Sequence, residues 1–255
     1  MLIGHSYGGL TVLHILFHHP SLFKAYVAIE PSLWWGNQKL LKEFQNASTQ
    51  KNFDGITLYL AIANTMQEGM DTIQVMTDTS DSTMTIRSLL AFKHILEETF
   101  TNKFRFKTKY YQADDHVSVP FIAEYDASRF IFDFYKFKFH NQDRYNPDID
   151  LYQRINTHFE EVTKNLAYEE KPSESLVNAL GYFYLSKQQF HKAEKFFKLN
   201  VFNYPQGYNV YDSYGDYFRA VGDMKRAIEN YKKSFSLNQD SYAKVKLEQL
   251  QNESK

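Results

Sequence analysis

The sequence predicts an α/β fold over its first half, a mostly parallel sheet with flanking helices, followed by an all-α module. Three observations carry this. Short runs rich in β-branched and aromatic residues alternate with helical apolar spacings up to residue 140; strand signals then stop; and a 34-residue period appears in the remainder of the chain.

Taken in order, Met1-Leu2-Ile3 reads as the tail of a strand and 4–9 as a glycine-rich turn. A helix comes next over 10–17 and a strand over 25–29. Further strands are expected at 56–62 and 104–111, with helices over 84–100 and 120–137. The polar stretch 140–147 reads as a linker, and 148–167 as a helix bridging the two parts. Aligning Gly181 with Gly215 brings Val177/Tyr211, Leu180/Tyr214, Tyr184/Phe218, Ala193/Ala227 and Phe197/Tyr231 into register, and Pro205 closes the first unit. That order of residues resembles the tetratricopeptide repeat, in which Gly and Ala sit where paired helices approach most closely. The expected organisation is a sheet domain over 1–140, a linker and bridging helix over 141–173, and a repeat module over 174–251. The module holds repeats at 174–207 and 208–241 and a capping helix over 242–251.

Composition removes several function classes. The chain has 255 residues, 43% of them hydrophobic, enough to fill one large core or two smaller ones. With 29 Lys plus Arg against 30 Asp plus Glu, the formal charge of -1 gives no general attraction for nucleic acid or an anionic membrane. The absence of cysteine excludes disulfides, thiolate metal sites and cysteine nucleophiles. No cofactor or metal is called for. The first 23 residues carry no Lys, Arg, Asp or Glu. His5, Gly8, Gly9, His18, His19 and Pro20 interrupt them, so they read neither as a signal peptide nor as a membrane span. The 17% aromatic content reads as packing.

The motif that carries chemistry is Gly4-His5-Ser6-Tyr7-Gly8-Gly9, a Gly-x-Ser-x-Gly turn with an apolar helix behind it. Small residues are needed on both sides of the serine in such a strained strand-to-helix turn, because a side chain there would collide with neighbouring backbone, and this makes Ser6 a candidate nucleophile. The Tyr7 amide, at the helix N-terminus, is a candidate oxyanion donor. A serine nucleophile needs a base. His116 lies in the loop after the strand at 104–111 and just before a helix, where such sheets gather their sites. His5 reads as support for the elbow, and His14, His18 and His19 lack an acidic partner. The orienting carboxylate is expected in the loop after 56–62, with Glu68 preferred and Asp71 close behind. Asp114 and Asp115 sit too near His116 in sequence to orient it easily, and read as loop caps.

Gly-His-Ser-Tyr-Gly-Gly (4–9), Ala-Ile-Glu-Pro-Ser-Leu-Trp-Trp (28–35) and Asp-Asp-His-Val-Ser-Val-Pro (114–120) together resemble the esterase family of α/β-hydrolases that includes esterase D-like enzymes, feruloyl esterases and bacterial siderophore esterases. The resemblance covers about 1–138 and implies a partial α/β-hydrolase acting on carboxylic esters or thioesters. It implies Ser6 as nucleophile and His116 as general base, with Ser32, Leu33, Trp34 and Trp35 as pocket residues beside His5. Bacterial members that carry tetratricopeptide repeats behind the esterase domain look like this arrangement. Val117 stands where the family usually has Gly after the histidine. The strands that normally precede the elbow, and the loop that donates the second oxyanion amide, are missing from the sequence. The expectation is therefore a fragment or late-starting reading of a longer hydrolase, with the activity of the chain alone in question. The rival expectation is a non-catalytic module that binds a protein partner through its repeats. The compartment reads as cytoplasmic or periplasmic, any export signal lying upstream of Met1.

Overall fold

The computed structural model describes residues 1–46, 52–100 and 104–253, which divide into units Met1–Lys136 and Phe137–Lys255. In the first, strands β1 (Leu2–His5), β2 (Ala25–Ile29), β3 (Thr57–Ala63) and β4 (Arg105–Tyr111) pair in chain order, all parallel. Helices α1 (Tyr7–His18), α2 (Trp35–Gln45) and α3 (Met84–Phe100) fill the three crossovers, and α4 (Val119–Ile131) comes after β4. The register pairs His5 with Ile29, Ile29 with Ala61 and Ala63 with Tyr111. Successive strands thus end at one edge of the sheet, and the loops that leave them converge there.

Side-chain alternation divides the core into two layers. Leu58, Leu60 and Ile62 of β3 pack in one layer with Leu13 and Leu16 of α1, Phe44 of α2 and Phe92 of α3. Tyr59, Ala61 and Ala63 face the other way, against Val119, Ala123 and Ala127 of α4. Alanines on both surfaces let the helix lie close to the sheet. β2 is buried at every residue, as an interior parallel strand covered on both faces must be. The hydroxyls in this layer are satisfied internally: Tyr59 and Tyr111 share a hydrogen bond at 2.7 Å, and Tyr111 donates to Asp126 at 3.0 Å.

Two elements differ from expectation. The helix α2 gives no periodic start signal, because Gly36, Asn37 and Gln38 form a left-handed turn with φ of 58°, 54° and 59°. Lys42 Nζ, donating to the Asn37 carbonyl at 2.8 Å, and Gln38 Nε2, donating to Ser88 Oγ at 3.2 Å, hold that turn. The helix expected over 120–137 stops at Ile131, with a single further turn at Asp133–Tyr135. Phe130, Phe132 and Phe134 recur there at every second position, a spacing a helix does not continue.

The second unit is helical: α5 (Leu151–Leu166), α6 (Glu174–Ser186), α7 (Phe190–Asn203), α8 (Tyr208–Ala220), α9 (Met224–Leu237) and α10 (Ala243–Glu253). Asp150, Ser173 and Asp223 cap α5, α6 and α9 by accepting the amides of Gln153, Leu176 and Arg226. A Cβ on Gly181 would lie 2.8 Å from the Phe197 ring, and one on Gly215 would lie 2.5 Å from the Tyr231 ring, so both helix pairs close over a glycine. Lys246 of α10 bridges Asp212 at 2.6 Å and Asp216 at 2.7 Å, and Tyr182 and Tyr231 also donate to Asp216. Among the described residues no helix is long and apolar enough to cross a membrane.

Candidate active site

Ser6 leaves β1 with φ 57° and ψ −118°, a backbone conformation that side-chain-bearing residues avoid. Its surroundings hold it there. The Ser6 amide donates to the Ile29 carbonyl at 3.0 Å, while its own carbonyl accepts the amides of Leu10 at 3.0 Å and Ser32 at 3.1 Å. A Cβ on Gly4 would meet the Gly8 carbonyl oxygen at 2.3 Å, and one on Gly9 would stand 3.0 Å from both the Ile29 oxygen and Pro31 Cα. Gly8 has nothing within 4 Å of such a Cβ. The expectation that a side chain on either flank of the serine collides therefore needs correcting. The crowded pair is Gly4 and Gly9, because β1 and α1 cross at Gly4 while Gly8 faces outward.

Each of the other residues picked from the sequence has a definite place. Tyr7 begins α1, in the first turn, where amides have no intrahelical acceptor. Its ring meets Trp35 edge-on at 5.3 Å and Trp34 at 6.1 Å. Trp35 is 54% exposed and borders a cavity of about 410 Å3 that His14, His18, Lys39 and Glu43 also line; there His18 Nε2 and Glu43 Oε2 are hydrogen-bonded at 3.0 Å, so the expectation that His18 lacks an acidic partner is corrected. Ser32 is buried, its Oγ 3.4 Å from Ser6 Oγ. Leu33, expected to line the pocket, is only 1% exposed and belongs to the core with Leu58 and Leu60, so it supports the loop from below.

The His116 ring stands 4.4 Å from the ring of His5, the residue before the serine, tilted by 42°. Burial, then the neighbouring His5, lowers the His116 pKa below 6.5, against a smaller upward pull from Asp115. A neutral imidazole is the form that accepts a proton. The hydrogen bond of Ser6 Oγ goes to Ser32, and among the described residues none joins Ser6 to His116. Asp115 Oδ1 accepts the amides of Val117 and Ser118, each at 2.8 Å, and Asp114 Oδ1 accepts Ser118 Oγ at 3.1 Å; both shape the histidine loop. Of the two preferred acids, Asp71 Oδ1 accepts the amides of Ile73 at 2.8 Å and Gln74 at 2.7 Å, while Glu68 is exposed. Neither carboxylate is hydrogen-bonded to His116. The loops are nonetheless stitched together, since the Asn64 amide donates to the Asp114 carbonyl at 2.8 Å and its side chain to the Gln112 carbonyl at 3.1 Å.

Sequence reasoning missed Glu30. It follows β2 directly, fully buried, with φ 43°, and its Oε2 accepts the Ala63 amide at 2.6 Å while Oε1 has no partner. Burial pushes its pKa up to about 7, opposed by the Ala63 bond. Its charge in turn adds to the burial that raises Tyr110. The readable signal was a carboxylate directly after five apolar residues and before a proline. Below about pH 4.5 this carboxyl is protonated in folded and unfolded chains alike. As pH rises, the unfolded chain ionises first and is favoured, and the loss is complete above the folded value of about 7. Glu30→Gln is expected to flatten that fall, which reaches on the order of 3 kcal/mol, in urea melts between pH 4 and 8.

Among the described residues no group of three or more His, Asp or Glu could hold a metal ion. Residues 1–142 match the model of the prolyl oligopeptidase family, Peptidase_S9. The chain belongs to the prolyl oligopeptidase family. The esterase resemblance read from its motifs is matched by curated relatives. A siderophore enterobactin esterase of Emericella nidulans is 57% identical over 42 residues, 16% of this chain and 14% of that protein. The ferri-bacillibactin esterase BesA of Bacillus subtilis is 39% identical over 62 residues, 24% of this chain and 22% of its own. Among solved structures, an IroE-like serine hydrolase from Shewanella oneidensis superposes with a TM-score of 0.51 at 24% identity, covering 78% of this chain and 57% of that one. The parallel sheet with its flanking helices is thus that of an α/β-hydrolase. The alignments span only a small part of the curated relatives.

Proposed function

We propose that this member of the prolyl oligopeptidase family is a serine ester hydrolase. The observation that carries the reading is the strained Ser6, at φ 57° and ψ −118°, next to His5 with the His116 ring packed against it. In the proposed reaction Ser6 Oγ leaves Ser32 and attacks the ester carbonyl while His116 takes its proton. The tetrahedral intermediate collapses, the proton passes from His116 to the departing alkoxide, and an acyl-serine remains. Water then attacks with His116 again as base, releasing the acid and restoring Ser6. The Tyr7 amide and the first turn of α1 stabilise the oxyanion. For the acid that must turn toward His116 during the reaction, Glu68 is preferred to Asp71, because Asp71 Oδ1 is already engaged by two backbone amides. Trp34, Trp35 and Ser32 form the substrate wall, with His5 behind the imidazole. The relatives' names make siderophore esters the substrates to try first.

Within this reading the catalytic domain spans 1–140, and 141–173 leads to two tetratricopeptide repeats and a cap over 174–251. The glycine–ring pairs Gly181/Phe197 and Gly215/Tyr231, the second set 34 residues after the first, support the repeats. They would dock a protein partner. A purely non-catalytic role is not favoured, since the relatives are named as esterases. A fluorophosphonate probe is expected to label the protein and to leave Ser6→Ala unlabelled. Equal labelling of the two would remove Ser6 from the reaction.

A further inference from the structure

In a regular parallel ladder, a residue whose amide donates to one strand's carbonyl offers its own carbonyl to the amide two positions further along that strand. The Glu30 amide donates to the Ala61 carbonyl at 2.9 Å, so the acceptor due to the Ala63 amide is the Glu30 carbonyl. The Ala63 amide goes instead to Glu30 Oε2, at 2.6 Å. A φ of 43° turns the Glu30 backbone away from the sheet, and the carboxyl takes the place of the carbonyl that has left. β3 keeps its last ladder bond while β2 breaks off one residue early.

That early break shapes the surroundings of the nucleophile. On one side of Glu30 the Ile29 carbonyl receives the Ser6 amide; on the other, Pro31 Cα closes over Gly9. One residue further, Ser32 donates its amide to the Ser6 carbonyl at 3.1 Å and sets its hydroxyl 3.4 Å from Ser6 Oγ. We infer that Glu30 is a positioning residue of the serine site: its carboxyl acts as a strut that pins the end of β3, frees the main chain to cross over β1, and so fixes Ser32 against the elbow. The inference rests on Ser6 being the nucleophile. It assigns Glu30 no contact with substrate.

The structure also dictates the variants. Glu30→Gly accepts the positive φ without strain and removes only the strut, whereas Glu30→Gln keeps an oxygen acceptor for Ala63. The rate of fluorophosphonate labelling at 25 °C and amide hydrogen exchange at Ala63 are measured on the full chain, with Tm recorded for each variant. Glu30→Gly is expected to label about 10- to 100-fold more slowly, the scale of a small misplacement of reacting groups, with faster exchange at Ala63. Glu30→Gln is expected to keep both within about threefold of the parent, the amide preserving the acceptor. A purely structural role would lower Tm in Glu30→Gly and leave labelling well below Tm unchanged, which overturns the inference. Labelling in Glu30→Gln as slow as in Glu30→Gly also overturns it, because the acceptor oxygen would then not be what matters. If Glu30→Gly fails to fold, Glu30→Asn, which tolerates the positive φ but is one methylene too short to keep the bond to Ala63, takes its place under the same two criteria. A parent chain that does not label at all sinks the serine-hydrolase reading itself, an outcome separate from a labelled parent with an indifferent Glu30→Gly.

Discussion

Replacing His116 with alanine is expected to lower kcat on a p-nitrophenyl ester by about 10⁴- to 10⁶-fold, the scale of loss when the base of a serine hydrolase is removed. KM should change far less, since the imidazole acts on a proton that moves only in the transition state. The pH profile of the unaltered protein supplies the second half of the test. Burial and His5 both lower the His116 pKa, so the imidazole stays neutral to a lower pH than a free histidine. The acidic limb of kcat/KM is therefore expected below pH 6.5. Retention of a tenth or more of the activity in His116→Ala would move the base elsewhere, and a limb above pH 6.5 would contradict the environment described for this ring.

What the sequence disclosed, it disclosed where physics leaves few options. A serine on a strained bend must be followed by a close helix crossing, and glycine is the residue that permits it, so the elbow stands out in six letters. Interior parallel strands must be apolar on both faces, which made 25–29 and 56–62 visible as continuous runs. The features that stayed hidden depend on contacts between distant segments. Nothing in the spacing of Glu68 and Asp71 tells which one is free, yet the structure shows the Asp71 carboxylate engaged by the amides of Ile73 and Gln74. Glu30 is buried and its carboxyl is bound by the Ala63 amide, 33 residues away, a contact that no local spacing announces. The helix α2 was illegible because its left-handed first turn is set by Lys42 and by Ser88, the latter 50 residues away.

The same close crossing yields a prediction that separates the two glycines around the serine, which the motif alone treats as equivalent. Gly4→Ala would place a Cβ 2.3 Å from the Gly8 oxygen and 2.4 Å from the Gly8 carbon, both main-chain atoms that no rotamer change can move aside. Overpacking in a tight site costs about 1–3 kcal/mol and more where backbone must shift, so a fall in Tm of roughly 5–10 °C is expected. Moving Gly8 also moves the first turn of α1, on which the Ser6 carbonyl and the Tyr7 amide depend, so fluorophosphonate labelling should be lost even in the fraction that stays folded. Gly8→Ala meets nothing within 4 Å, needs no positive φ and exchanges glycine for a better helix former, so it should leave Tm unchanged or slightly raised and labelling intact. Differential scanning fluorimetry with gel-based probe labelling distinguishes the two variants. Equal damage from both would mean that the serine bend tolerates no side chain on either flank and that the asymmetry between Gly4 and Gly8 is not what holds Ser6 in place.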